Sequence, residues 1–301
     1  MFRFKLPSGV ALLLALVLPS CAAFRPVPRH LHQQSTADTR QFMFFAEEAP
    51  EGSLSIDIVA SGDDEESINQ AAKFLINSFW LDARHLVTTG DDDDSAVVVS
   101  DNARQSLYER QASDLFDNYG ERMGKTILDS AVIKAVDSKN PDEIVGLVCV
   151  SSLLFDGKTE TLLSLQESEE LLKAAVATLG PKDRRRYKDA SAEDIATGLL
   201  GNDMEAVCCI SNLAVSPRAR RTGVAARLCD EAERVASVEW GYEVMFLKVE
   251  ADNTAARNLY EQKLQYSVKC NEIAATALRV DLENGQFVET EADTLILMKD
   301  I

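Results

Sequence analysis

The stretch "RARRTGVAARL", Arg218 to Leu228, gathers Arg218, Arg220, Arg221 and Arg227 around Gly223 in a 301-residue chain whose formal net charge is −18. A strand-like run, "AVCCISNLAVS", comes just before it, and Ser216-Pro217 break that strand. A helical pattern then starts near Gly223. The first N–H groups of a helix lack intrahelical partners and its dipole favours negative charge, so the junction is a cradle for an anion. Gly223 permits close approach of a ligand to the backbone. Ala225 and Ala226 keep the first turn free of bulk, and Arg220 and Arg221 can add charge-assisted bonds. The block is not a P-loop, since no Gly-Lys-Ser/Thr follows, and not a dinucleotide fingerprint, since the further glycines are missing. Taken alone, "RRTGVA" is equally well a basic helix start that decorates the surface.

The elements around the cradle follow from hydrophobic periodicity. "SLSIDIVA" (Ser53 to Ala60) alternates as a strand. Acidic "SGDDEES" leads into an amphipathic helix with Ile68, Ala72, Leu75, Ile76 and Phe79 on one face, and "TTGDDDDS" reads as a solvated loop. A long helical region runs from Asp101 to Leu128, with Leu107, Leu115, Phe116 and Tyr119 at helical spacing. "AVIKAVD" and "EIVGLVCVS" are strands about the turn "SKNP" and form a hairpin.

Ser152 to Ala206 reads as an insertion of helices and loops. It holds "SEELLKAAVATLGP", stopped by Gly180 and Pro181, the basic patch "KDRRRYKD", and "SAEDIATGLL" with its capping-box-like Ser191 and Asp194. After the cradle helix, closed by Gly241, come the strand "EVMFLKVE", the helix "NTAARNLYEQKLQ", a short strand at Val268 to Cys270 and a last strand from Asp293 to Asp300. The order implies an α/β fold over residues 53–301. It is one mixed sheet of six to seven strands with helices on both faces and a helical insertion.

Composition bounds the partners. An acidic chain lacks the basic face that nucleic acid needs, and an apolar fraction of 46% is enough for a real core. The first residues carry a basic head (Arg3, Lys5), an apolar run "VALLLALVL" too short to span a bilayer, and small residues at "PSCAAF", the pattern of a cleaved signal peptide over residues 1–23. The next stretch, residues 24–45, is rich in arginine and hydroxyl residues with Asp38 its only acid, which is transit-peptide chemistry. The pairing "AAF-R-P" resembles the bipartite presequence of algae with secondary plastids, which implies a plastid location, with plain secretion as the rival. Residues 1–45 hold five Lys/Arg against one acid, so their removal takes the chain from −18 to nearer −22. It also leaves no stable membrane anchor, and composition says nothing of the oligomeric state.

Five cysteines remain beyond that point: Cys149, Cys208, Cys209, Cys229 and Cys270. An odd count without C-x-x-C spacing suggests reduced, buried thiols, with Cys208 and Cys209 on opposite faces of one strand. His85 is the only histidine left, which excludes a His-rich metal site and argues against a Ser-His-Asp triad.

The longer context "NLAVSPRARRTGVAARL" resembles the acetyl-CoA-binding motif of the GNAT acetyltransferase superfamily, Arg/Gln-x-x-Gly-x-Gly/Ala, with Arg220, Gly223 and Ala225 at its fixed places. "EADNTAARNLYEQKLQY" resembles the superfamily's second motif through Asn253, Ala256, Tyr260 and Tyr266, although Leu264-Gln265 replace the usual Leu/Phe-Gly. The resemblance implies acetyl-CoA as co-substrate and no metal. It implies that Leu213, Ala214 and Val215 bond the pantetheine arm like an added strand. Arg220, Arg221, Thr222, Gly223, Val224 and Ala225 would hold the pyrophosphate, and Asn253 would sit near the acetyl end.

Tyr260, by the same resemblance, is the general acid that protonates the departing thiolate, and an amide near Leu213 stabilises the oxyanion. Taken alone, Tyr260 is equally a core aromatic on an amphipathic helix. The general base stays open. Lys248 stands where several superfamily members carry Glu or His, Glu250 is a candidate two residues on, and a water chain is a third. The pattern looks most like the plastid and cyanobacterial branch acting on protein amines, so a peptide N-terminus or a lysine is the implied acceptor. A small amine is the rival within the class, and a catalytically silent CoA-binding module is the rival outside it.

Overall fold

Asp64 sets the first helix by accepting the Ser67 N–H at 3.0 Å. The structure, a computed structural model, describes residues 55–81, 99–121, 126–282 and 284–301. The presequence-like segments, the "TTGDDDDS" loop and His85 lie outside the described residues. Strand β1 (Ile56–Ala60) leads into α1 (Glu65–Ile76), which buries Ile68, Ala71, Ala72, Leu75 and Ile76. A π-helical turn, Asn77–Leu81, continues α1 and rotates Phe79 to 38% exposure, off the apolar face assigned to it from spacing. Helix α2 (Asp101–Tyr119) is capped by Ser100 and stops at Gly120, whose extended backbone (ψ 166°) leaves the helix. Leu128 therefore lies beyond the helix rather than at its end, yet is buried. Leu107 and Leu115 are buried as their spacing requires, whereas Phe116 is 43% exposed.

The hairpin β2 (Ser130–Asp137) and β3 (Asn140–Asp156) forms as expected, but β3 runs on past Ser151. Ser152 to Phe155 are buried in that strand, so the insertion is shorter than its sequence boundaries suggested and lies between Asp156 and Met204. It contains β4 (Thr161–Leu162), α3 (Leu165–Ala177), α4 (Pro181–Arg186) and α5 (Ala192–Ile195). Reciprocal capping boxes start α3 (Ser164, Glu167) and α5 (Ser191, Asp194). The remaining elements are β5 (Met204–Val215), α6 (Val224–Arg234), β6 (Val244–Glu250), α7 (Thr254–Arg257), β7 (Ser267–Asp281) and β8 (Gln286–Asp300). Asn258–Lys263 prolongs α7 as a π-helical turn.

Among the described residues the sheet has eight strands in the order β1-β2-β3-β5-β6-β8-β7, with β4 paired to β3 as the strand beyond the six to seven expected. β5 and β6 are parallel and every other pairing is antiparallel. The fold is thus the mixed α/β arrangement with helices on both faces. The two last strands are far longer than their sequence signals. The acidic run "VDLENGQFVETEAD" is the outer part of this hairpin, not a loop. Its β8 part, Gln286 to Asp293, is exposed apart from half-buried Phe287 and Ala292, so it has no apolar alternation to betray it.

Alternation along β5 sorts the two faces. Cys208 and Ile210 join α6 with Leu228, Cys229 and Ala232 on one face. Val207 and Cys209 meet α3 and α5 on the other, where α1 and α2 cover Leu147, Cys149 and Ala214 further along the sheet. Gly146 of β3 allows α6 to come close. A methyl group there would stand 2.8 Å from Val224 Cγ1 and 2.9 Å from Leu228 Cδ1. The start of α6 is therefore set hard against the sheet, beside the end of β5. All the described residues belong to one compact unit, Pro50–Ile301.

Candidate active site

Strands β5 and β6 pair only where Cys208, Cys209 and Ile210 face Met245, Phe246 and Leu247. Beyond Ile210 they part. Asn212 has the left-handed φ of 52°, a conformation asparagine tolerates better than most residues. Against β3, Leu147 faces Ala214 while Cys149 faces Ser211, so Asn212 and Leu213 stand opposite Val148 alone. Such a bulge bends its strand and ends the pairing on its far side. Ser211 to Val215 keep β3 on one edge and have no strand on the other. The backbone of Leu213 and the Val215 N–H thus face the gap, where an extended ligand can bond as a strand does, while Ala214 bonds toward β3.

The cradle follows without interruption. The Ser216 N–H donates to Val145 O at 2.9 Å, and Pro217–Ala219 make a single 3-10 turn. Arg220 Nε donates to Val215 O at 3.2 Å and Thr222 Oγ1 to Ala219 O at 2.7 Å, which ties the turn to the strand end. Arg221 (φ 66°) and Gly223 (φ 88°) both take left-handed backbone, and α6 begins with no side-chain cap. Helices α1, α2, α3, α5 and α7 all have one. The amides that open α6, at Val224 and Ala225, are thus left for an acceptor from outside the chain. A Cβ built on Gly223 meets no atom within 4 Å, so the space before the helix is open. Ser216 Oγ is buried with no hydrogen-bond partner among the described residues. This combination fits a bound phosphate group. The arginines divide the work: Arg221 is exposed at the cradle, Arg218 pairs with Glu143 at 2.6 Å, and Arg227 donates to Ile56 O at 2.9 Å.

Tyr260 lies on the α6 face of the sheet, 8% exposed, in one apolar cluster with Cys229, Leu247 and Val249. Burial raises its phenol above the ordinary value of 10.0, with the Cys229 and Cys209 thiols adding to the effect, so it keeps its proton at neutral pH. No hydrogen bond engages its hydroxyl among the described residues. Asn253 caps α7 by accepting the Ala256 N–H at 3.1 Å. Its amide nitrogen stays available, and the cap fixes the start of the segment that carries Tyr260.

Glu250 and Lys248 follow Phe246 on the opposite face of β6, so Glu250 flanks the gap from the side away from Tyr260. Both oxygens of Glu250 are taken by Arg279, at 2.7 and 2.8 Å. It is therefore not a free base until that pair opens. Lys248 Nζ is held by both oxygens of Glu272, at 3.1 and 2.9 Å.

Sequence reasoning did not single out the polar groups on this face. Tyr119 of α2 shares a 3.1 Å hydrogen bond with Ser211, and Asn212 Nδ2 points to Cys149 Sγ at 3.7 Å. The β7–β8 hairpin extends beyond the end of β6 and its turn, at Gly285, lies against Ala103 of α2. An asparagine inside an apolar strand was the one available sign of the bulge. The ion-pair partners, remote in sequence, left none. Among the described residues no cluster of His, Cys, Asp or Glu could hold a metal ion, and no helix is long and apolar enough to cross a membrane.

Residues 185–266 match the model of the Acetyltransferase (GNAT) family. No curated protein matches the sequence. Among solved structures, Arabidopsis thaliana NAA60 in complex with acetyl-CoA is similar at 16% identity, covering 82% of this chain and 99% of that one with a TM-score of 0.42. The same protein with a bisubstrate analogue gives 17%, 82%, 99% and 0.41. The ribosomal-protein-S18-alanine N-acetyltransferase of Escherichia coli gives 12%, 82%, 94% and 0.39.

Proposed function

We propose that this chain, which carries a GNAT acetyltransferase segment over residues 185–266, is an acetyl-CoA-dependent N-acetyltransferase whose acceptor is a protein N-terminus or a lysine side chain. One arrangement carries the reading. The unpaired edge of β5 runs straight into the uncapped start of α6, and a proton-holding tyrosine stands on one side of the gap. Acetyl-CoA supplies the acetyl group as a thioester, and the chain supplies the rest. The open edge at Leu213 and Val215 orients the pantetheine arm, and an amide near Leu213 faces the carbonyl oxygen as negative charge develops there. The amides from Thr222 to Ala225, with Arg221, hold the pyrophosphate.

When the amine attacks, the carbon–sulfur bond breaks and the sulfur leaves with its electron pair. Tyr260 places a proton on that sulfur, the amine's surplus proton passes to water on the opposite face, and the tyrosinate regains a proton from solvent. The resemblance of the motifs around Arg220–Ala225 and Asn253–Tyr260 to the branch acting on protein amines supports the protein acceptor. NAA60 has been solved with a bisubstrate analogue.

The presequence chemistry of residues 1–45 supports a plastid location and a place in the plastid branch of the superfamily. A reporter fused to residues 1–45 should enter the plastid of an alga with a secondary plastid, and its secretion would sink that part of the reading. The activity itself is tested by incubating the protein with acetyl-CoA, N-terminally varied peptides, lysine peptides, a polyamine and an aminoglycoside. Thiol release is expected with peptides. None above background with any acceptor would leave a silent CoA-binding module.

A further inference from the structure

The basic run "KDRRRYKD" has no part in the acetyl-transfer site, yet it borders a cavity of about 450 Å³. The cavity lies within the insertion, between the end of α3, α4, α5 and the connection before β2. Its walls are apolar, with Ile127, Val176, Pro181 and Ile195 among them, and Arg185 and Lys188 stand at its rim. The cationic side chains of the run differ in what they do. Arg184 is committed to the fold, donating to Ala177 O at 2.8 Å and Leu179 O at 3.1 Å, where it closes the end of α3. Lys182, Arg185, Arg186 and Lys188 are exposed, and their side chains make no ion pair or hydrogen bond with any described residue.

In a chain with 49 acidic residues against 31 basic ones, four adjacent unpaired cations are an exception. Of the acids beside them, Asp183 is also on α4, and Asp189 lines the neighbouring cleft instead of this cavity. An apolar hollow of this size is within the usual range for small ligands, roughly 300–1,000 Å³. Its rim pairs guanidinium and ammonium donors with an apolar floor, so it is complementary to a molecule with an anionic head and a hydrocarbon tail.

We propose that the insertion binds a single-chain amphipathic anion, its tail between Ile127, Val176 and Ile195 and its phosphate or carboxylate head on Arg185 and Lys188. The site is separate from the acetyl-transfer gap, and the proposal stands or falls independently of that activity. The same chemistry is offered by a free monomer and by an anionic lipid in a bilayer, and two arms distinguish them. The full chain is titrated with dodecyl phosphate below its micelle concentration, with dodecanol as the uncharged counterpart. It is also sedimented with phosphatidylcholine vesicles with and without phosphatidylglycerol.

Three variants read the parts of the site: Arg185→Glu with Lys188→Glu for the head, Val176→Trp to fill the floor, and Lys158→Glu as a remote charge control. Retention of the unfolding midpoint shows that each variant folds. Saturable binding of dodecyl phosphate is expected. It should be at least about tenfold weaker in both the rim and the floor variants and unchanged in the control. Dodecanol should bind more weakly than dodecyl phosphate. Vesicle binding that needs phosphatidylglycerol and is lost in both variants places the same site at a membrane, whereas its absence alongside monomer binding assigns a free ligand. Binding lost on charge reversal but untouched by Val176→Trp would overturn the proposal, leaving a surface patch for acidic partners. Absence of binding in both arms would overturn it equally.

Discussion

The Tyr266 hydroxyl donates a 2.9 Å hydrogen bond to Glu233, and Lys299 holds the other oxygen of the same carboxylate at 2.6 Å. Glu233 belongs to α6, the helix that starts at the cradle, and Lys299 belongs to β8. Tyr266 packs edge-on against Tyr260 with ring centroids 6.1 Å apart, and its N–H donates to Tyr260 O at 3.0 Å. The cradle helix and the tyrosine assigned as acid are thus joined by one half-buried polar set. Tyr266→Phe removes a bond to a charged acceptor, at a cost to stability of about 1.5–3 kcal/mol. If Tyr266 positions Tyr260, kcat should fall while KM for acetyl-CoA holds. The double variant with Tyr260→Phe should then be no slower than Tyr260→Phe alone. Additive losses would make Tyr266 a purely structural residue.

Tyr260→Phe keeps the ring and its packing but removes the proton. Its turnover should drop by about 10²- to 10⁴-fold, the usual worth of a positioned acid, with acetyl-CoA affinity unchanged by calorimetry. An acetyl thioester of a more acidic thiol needs less help in leaving. The gap between wild type and variant should therefore narrow with such a donor. Equal loss of binding and turnover would return Tyr260 to the core.

Gly223→Val tests the cradle apart from the acid. No atom lies within 4 Å of a Cβ at this position, so the cost to the apo fold is backbone strain alone, on the order of 1–2 kcal/mol at φ 88°. The added side chain occupies the space where phosphate oxygens would approach the α6 amides. KM for acetyl-CoA should rise at least about tenfold, while the melting transition persists a few degrees lower. An unchanged KM would place the pyrophosphate elsewhere.

The cradle was legible in sequence because every feature it needs is local: a strand end, a breaker, a glycine and a helix start within a dozen residues. The same locality made Asn253 and Tyr260 readable as a unit, whereas Glu233 and Lys299 lie far apart in the chain and only the fold joins them. The bulge at Asn212 was hidden because one residue's φ decides whether two strands pair or part. The outer β7–β8 hairpin was hidden for a different reason. Ile273 is 78% exposed and Leu278 53% while small Ala277 between them is buried, so its larger apolar residues make no period. Ser152 to Phe155 were assigned to the insertion because a strand buried on both faces shows no alternation.

Glu250 offers a sharper test of the base than of the acid. Its carboxylate is engaged twice by Arg279, and Arg279 is held above its ordinary value chiefly by that hydrogen-bonded contact. Glu250→Gln should therefore preserve the acid limb of the kcat/KM pH profile and lower activity by less than about tenfold, well short of the loss of a general base. Disappearance of the acid limb would show that the pair opens during turnover and that Glu250 takes the amine's proton.

The thiols predict the response of the fold to alkali. All five cysteines in the described residues are free and buried. Burial pushes Cys149, Cys209 and Cys229 up from 9.0 to about 12. In the unfolded chain they ionise near 9, in the folded chain they do not, so the native state binds more protons above that pH. Stability is then fully present below pH 9 and falls as pH rises. Between pH 8 and pH 10 each of these three, and Cys208, which burial raises as well, should remove roughly 1.4 kcal/mol, or about 5.5 kcal/mol together, read as a lower urea midpoint. Buried Tyr119, Tyr260 and Tyr266, all raised by burial, extend the loss in the same direction at higher pH. Cys149→Ala should remove at most about a quarter of the decline between pH 8 and pH 10, whatever it does to stability at pH 8. A midpoint that is flat across this range would mean that the thiols ionise in the folded state and that the core around them is open to water.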